Sequence, residues 1–181
     1  MLHALQRSLL ATAIALAAAL PAVADGPVLV TVTGALANTN RGPFDADYDK
    51  LFGFNEVSFD KAMEFDVDAL EALPQTTVTT DFPKGGPEVT FTGPALAEVL
   101  AAAGAQGDTV TIRAMDGYAV EAPMAEMVGK GAVVAIERDG KPLGIGSFGP
   151  TQIVFPRAER ADLADMTDDW WVWQIYHINV E

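Results

Sequence analysis

The chain has 181 residues, 25 acidic against 11 basic side chains and a formal charge of −14. A surface of that sign repels phosphate backbones and anionic lipid, which argues against nucleic acid as a partner. There is no cysteine, which excludes disulfides, thiolate catalysis, cysteine-ligated zinc or iron–sulfur clusters and covalent c-type haem.

Arg7 is the only charge before Asp25, an apolar run spans Leu9 to Leu20, and Pro21 precedes Ala22-Val23-Ala24. This is the layout of a secretory signal with an A-x-A cleavage site. The run is shorter than the roughly 20 residues a membrane span needs, and without cysteine no lipobox exists. The expectation is a leader over residues 1–24 and one mature domain over residues 25–181, working in the periplasm or secreted, with no membrane insertion of its own. The leader removes one arginine and no acid, so the mature chain carries a formal charge of −15.

Val28 to Thr33 is β-branched and bounded by glycines, and reads as a strand. Ala35 to Gly53 reads as a loop long enough to be functional or plain decoration. Phe65 to Leu73 suggests a strand running into a short helix that starts at Asp66 or Asp68 and stops at Pro74. Thr76–Thr80 and Val89–Thr92 predict a hairpin across the turn DFPKGGP. The spacing of Leu96, Val99 and Leu100 after Pro94, ending at Gly104, predicts a helix.

Further strands are expected at Thr109–Arg113, Tyr118–Glu121 and Ala132–Arg138, the last closed by an Asp139-Gly140 turn, with a small helix from Pro123. Gly144 to Pro150 is a glycine-rich loop leading to a strand at Gln152–Phe155. An acid-rich stretch from Arg157 to Asp169 reads as a solvated face, and Trp171 to Val180 as a final strand. Alternation would put Trp171, Trp173, Ile175, His177 and Asn179 on one face. Short strands, few helices and no βαβ alternation predict one α+β domain with mixed, partly barrel-like β-structure.

Few constellations carry chemistry. Gly144-Ile145-Gly146 lacks the spacing and setting of a dinucleotide loop. His177 is the only histidine after the leader, too few for a transition-metal site, and is expected to be structural. No calcium loop or hydrolase triad is present, so no catalytic or metal-ligating residue is assigned. All three tryptophans fall at Trp170, Trp171 and Trp173. They either fill the core or stack against a planar heterocycle.

Phe91-Thr92-Gly93-Pro94-Ala95-Leu96, continuing to Val99-Leu100 and Gly104, resembles the F-x-G-x-x-L-x-x-L-L-x-x-x-G stretch of the oxidoreductase molybdopterin-binding domain, the sulfite oxidase fold. Asp116-Gly117-Tyr118 is similar to that family's D-G-Y turn and Asp139-Gly140-Lys141-Pro142-Leu143 to its D-G-x-P-L. Gly149-Pro150 with Ile153-Val154-Phe155-Pro156 resembles G-P-x-R-x-V-x-P, and Trp171-Val172-Trp173-Gln174-Ile175 the closing W-V-x-x-I. The resemblance covers roughly two-thirds of the chain, from Phe65 onward.

Two departures accompany it. The cysteine that ligates molybdenum in catalytic members would fall near Thr79 to Pro83, where Thr80 and Asp81 stand, and the G-P-x-R arginine is Gln152. The resemblance therefore implies a pterin-like or molybdopterin-like ligand without molybdenum. It suggests a sensory protein that hands occupancy to a membrane-bound signalling partner. The rival reading is a molybdopterin-dependent oxidoreductase with a non-cysteine metal environment, and a third is an interaction module with no small ligand.

The expected ligand-binding residues are Thr80, Asp116, Tyr118, Arg157, Trp171 and Trp173. Asp116 either accepts hydrogen bonds from a 2-amino-pyrimidinone edge or only forms its turn. Tyr118 or Trp171 stacks. Arg157 either meets a ligand carbonyl or pairs with Glu159 or Asp162.

Overall fold

The computed structural model describes residues 24–181. The expected leader, apart from Ala24, lies outside the described residues. Among them, no helix is long and apolar enough to cross a membrane.

The elements follow in chain order as β1 (Val30–Gly34), α1 (Lys50–Phe54), β2 (Ala62–Phe65), α2 (Val67–Glu71), β3 (Gln75–Asp81), β4 (Glu88–Pro94) and α3 (Leu96–Ala102). After them come β5 (Thr109–Ala114), β6 (Ala119–Pro123), α4 (Met124–Gly129), β7 (Val133–Ala135), β8 (Glu137–Arg138), β9 (Lys141–Pro142), β10 (Gln152–Val154) and β11 (Ile175–Val180). A short 3₁₀ turn covers Ala161–Leu163.

The strands form a five-stranded sheet in the order β2-β1-β11-β5-β6, a four-stranded sheet β3-β4-β8-β9 and the pair β10-β7. Among the described strands, only β1 and β11 run parallel; every other pairing is antiparallel. This is the expected α+β class with mixed β-structure, though the sheets do not close into a barrel. The run Ala132–Arg138, expected as one strand, divides between two sheets, with β7 facing β10 and β8 facing β4.

Local chemistry explains most boundaries. Asp66 caps α2 by accepting the Ala69 N–H at 2.8 Å, which satisfies one of the donors a helix start leaves open. In α3, Leu96, Val99 and Leu100 are buried along one face. Gly93 is required where β4 meets β7, because a Cβ there would lie 2.0 Å from the Val134 carbonyl oxygen.

In β5 and β6 the alternation is clean. Val110, Ile112, Ala114, Val120 and Ala122 face the core, while Thr111, Arg113 and Glu121 face away. The outward face of the large sheet is polar and is partly covered by residues 35–61. That segment is more ordered than a loop: it contains α1, and Arg41 pairs with Asp49 and Glu64.

The largest correction concerns the final strand, which starts at Ile175 and not at Trp171. Gln174 has φ +54° and the pairing with β5 slips between Ile175 and His177. A left-handed residue and a bulge each break the two-residue period, so Trp171 to Gln174 do not alternate. Trp171 is buried, Trp173 is exposed, and Ile175 to Ile178 are all buried.

Candidate ligand-binding site

The β5–β6 turn carries Asp116 and Tyr118. Gly117 takes φ +92° there, a conformation open to glycine. The Tyr118 N–H is held by Asp116 Oδ1 at 2.9 Å, so the turn-forming role of Asp116 is real. Oδ2 receives no protein donor among the described residues. The Met115 N–H donates to the Gln174 carbonyl at 2.9 Å, which ties this turn to the tryptophan segment.

Between the two segments lies a cavity of about 310 Å³, bounded by Ala114, Asp116, Tyr118, Asp168, Asp169, Trp171 and Trp173. It brings together four of the six residues singled out from sequence, drawn from stretches more than fifty positions apart. The Tyr118 hydroxyl donates to the Asp169 carbonyl at 2.8 Å and struts the two walls.

Aromatic rings form the wall behind. Phe82 stacks parallel to Trp171 with centroids 5.2 Å apart. Phe148 meets both Phe82 and Trp173 edge-on, and Phe155 tilts against Trp171. Offset-stacked and edge-to-face contacts are the arrangements that ring quadrupoles favour. Phe82 and Phe148 were not singled out from sequence, although Phe82 directly follows Thr80-Asp81.

Arg157 lies beneath this wall, its guanidinium carbon 4.5 Å from the Trp171 ring centroid. Its side chain is 2% exposed. Nε donates to Asp81 Oδ1 at 2.7 Å, Nη1 to Asp168 Oδ1 at 2.7 Å and to the Met166 carbonyl at 3.0 Å, and Nη2 to the Asp81 carbonyl. The pairing with Glu159 or Asp162 does not form. Glu159 accepts from the Thr79 N–H, and Asp162 binds Arg160.

The acid-rich stretch is thus not wholly a solvated face, because Asp168 neutralises a buried cation. Burial pushes the Asp81 carboxyl upward, but the Gly85 N–H and Arg157 outweigh it and hold the group below its ordinary value.

Thr80 sits apart from the cavity lining, fully buried on β3, and its hydroxyl has no hydrogen-bond partner. Two other buried side chains share that condition. Gln152 on β10 is fully buried with both amide atoms unpartnered, and the Trp171 Nε1–H is likewise unpartnered. Buried polar groups are nearly always paired, so each of these three side chains lacks the partner that such a group ordinarily has.

The family model described as the oxidoreductase molybdopterin binding domain matches residues 54–164. Among solved structures, the crystal structure of the sulfane dehydrogenase SoxCD from Paracoccus pantotrophus superposes with a TM-score of 0.56 at 16% identity. The alignment covers 83% of this chain and 37% of that one, so this chain spans well under half of that protein. At that identity the likeness is one of fold. No curated protein matches the sequence.

Proposed function

The chain belongs to the oxidoreductase molybdopterin binding domain family, and from that premise we propose that it binds a pterin-like heterocycle in the Asp116–Trp173 cavity without performing redox chemistry. The observation that carries this reading is the convergence of Asp116, Tyr118, Trp171 and Trp173 on one cavity with aromatic and acidic walls. A flat ring system stacks on such rings, and a carboxylate accepts the paired N–H groups of a 2-amino-pyrimidinone edge.

The donor set fits a metal-free heterocycle better than a phosphorylated, molybdenum-bearing one. In the region where the family's thiolate would fall stand Thr80, whose hydroxyl is a much weaker ligand for a soft site, and Asp81, whose carboxylate is paired with Arg157. A phosphate arm requires cations, yet Arg157 is committed to Asp81, Asp168 and two carbonyls, and the cavity wall carries Asp116, Asp168 and Asp169. No reaction step is therefore assigned to a metal. The reading extends to an exported sensor that passes occupancy to a membrane-bound signalling partner, supported by the leader-like N-terminus.

The test is mass spectrometry and fluorescence of small molecules extracted from the purified protein, with molybdenum measured in parallel. Tryptophan quenching is then followed on adding a tetrahydropterin. A co-purifying pterin without molybdenum is expected, and Asp116→Asn should weaken quenching at least tenfold. Stoichiometric molybdenum would overturn the reading in favour of a molybdopterin-dependent oxidoreductase with a non-cysteine metal environment.

A further inference from the structure

A second cavity, of about 360 Å³, opens on the polar face of the large sheet, separate from the tryptophan cavity, and includes Thr33, Glu56, Arg113, Glu121, His177, Asn179 and Glu181 in its wall. Its sheet side is built by register. Arg113 on β5 lies directly opposite His177 on β11 and opposite Ala119 on β6, so Glu121 is its diagonal neighbour on the same face. Diagonal pairs stand roughly 7–8 Å apart, within reach of a long side chain.

Arg113 nevertheless makes no side-chain hydrogen bond or ion pair among the described residues, and its buried Nε is unpartnered. In a chain where acids exceed bases 25 to 11, a half-buried arginine on the polar face of the sheet with no carboxylate is an exception. Arg41, Arg138, Arg157 and Arg160 all have one.

The wall beside it is polarised in one direction. The Thr33 hydroxyl donates to Asn179 Oδ1 at 2.9 Å, and Asn179 Nδ2 donates to Glu181 Oε1 at 2.8 Å. The single proton of Thr33 is thereby used, so its oxygen accepts from His177 Nε2–H across the 2.7 Å contact. His177, 2% exposed, is left with Nδ1 as an unpartnered acceptor. Burial, with the charge of Arg113 second, lowers its pKa to about 4 and keeps the ring neutral.

The cavity thus presents one uncommitted guanidinium, a line of neutral donors and acceptors, and carboxylates at Glu56, Glu121 and Glu181. A simple anion would meet three carboxylates, and a simple cation would meet Arg113. We propose that this cavity binds a small zwitterion of the α-amino acid type, its carboxylate on Arg113 and its ammonium on Glu121. An α-carbon separates those two charges by a few ångströms, so one such molecule can reach both a guanidinium and a carboxylate that share the cavity without pairing to each other. The bidentate fork of arginine suits the carboxylate end.

The experiment is titration of the purified protein with L-alanine, followed by the Arg113 Nε–H resonance in NMR and by calorimetry, with acetate and ethylamine as half-molecules. Saturable binding of L-alanine that shifts the Arg113 resonance is expected, with each half-molecule at least tenfold weaker. Arg113→Gln and the rim substitution Glu121→Gln should each weaken L-alanine at least tenfold, and Glu121→Gln should leave the melting temperature unchanged. No saturable shift at tens of millimolar, or acetate binding as tightly as L-alanine, would overturn the proposal. Pterin quenching should be indifferent to both variants, so failure here and failure at the tryptophan cavity are distinguishable.

Discussion

Lowering the pH should destabilise the fold through His177 before the bulk of the carboxylates titrate. The imidazole is packed against Phe52 and Tyr176, is buried, and lies near the Arg113 charge. Its folded pKa is about 4 against 6.5 for the free side chain. Between those values the unfolded chain binds a proton that the folded chain refuses, so stability is full above pH 6.5 and falls as pH drops toward 4. Linkage puts the loss between pH 7 and pH 4.5 at about 2.5 kcal/mol. The assay is guanidinium denaturation at a series of pH values on the native protein and on His177→Gln, whose amide can still donate to Thr33. Subtracting the two cancels the carboxylates common to both. A difference that changes by about 2.5 kcal/mol across this window is expected; a difference flat with pH, or an imidazole titrating near 6.5 in the folded protein, would refute the reasoning.

The two cavity tryptophans should separate stability from binding. Trp171→Ala removes a fully buried ring and should cost about 3–5 kcal/mol, whereas Trp173→Ala, half out in solvent, should cost under about 1 kcal/mol while still lowering pterin affinity; thermal melts and quenching measure the two effects. Arg157→Met strands Asp81 and Asp168 around an apolar stem and should cost about 3 kcal/mol by denaturation. Thr80→Val removes an unpartnered buried hydroxyl at equal shape, and is expected to be neutral or to stabilise by about 1 kcal/mol in a melt of the ligand-free protein. A loss of stability there would reveal a hydroxyl partner.

The parts of the fold legible in sequence were those with local causes. Leu96, Val99 and Leu100 share a helical face, Thr76–Thr80 and Val89–Thr92 pair as a hairpin, and Asp139-Gly140 turns β8 into β9, all as patterned. What failed was long-range or conformational. Alternation carried through Trp171–Gln174 assumes extended backbone, and the left-handed Gln174 breaks it. Arg157 sits closest in sequence to Glu159 and Asp162, but its carboxylates come from β3, 76 positions away, and from Asp168. Phe82 and Phe148 gain their roles only by stacking across sheets. The unpaired state of Arg113 is invisible in sequence altogether, because it depends on which neighbours do not reach it.

These long-range contacts also divide the labour within the tryptophan cavity. Arg157 joins Asp81 at the end of β3 to Met166 and Asp168, and the stack of Phe82 on Trp171 joins the residues that follow each of these. The cavity's back wall is therefore cross-linked by charge and by packing. Under the proposed function such a wall would need little reordering for a flat ligand, which lowers the entropic cost of binding. Asp81 strengthens that clamp over a wide pH range, since a carboxyl held below its ordinary value contributes stability above pH 4 and loses it only as pH falls through the depressed value. The rim works differently: Asp116 and Tyr118 ride on a turn held by three backbone bonds, by the Asp116 carboxylate on the Tyr118 N–H, and by the Tyr118–Asp169 strut. On the proposed reading, changes on the rim should retune which heterocycle is held without unfolding the wall behind it, whereas changes at Arg157 or Trp171 should alter stability first.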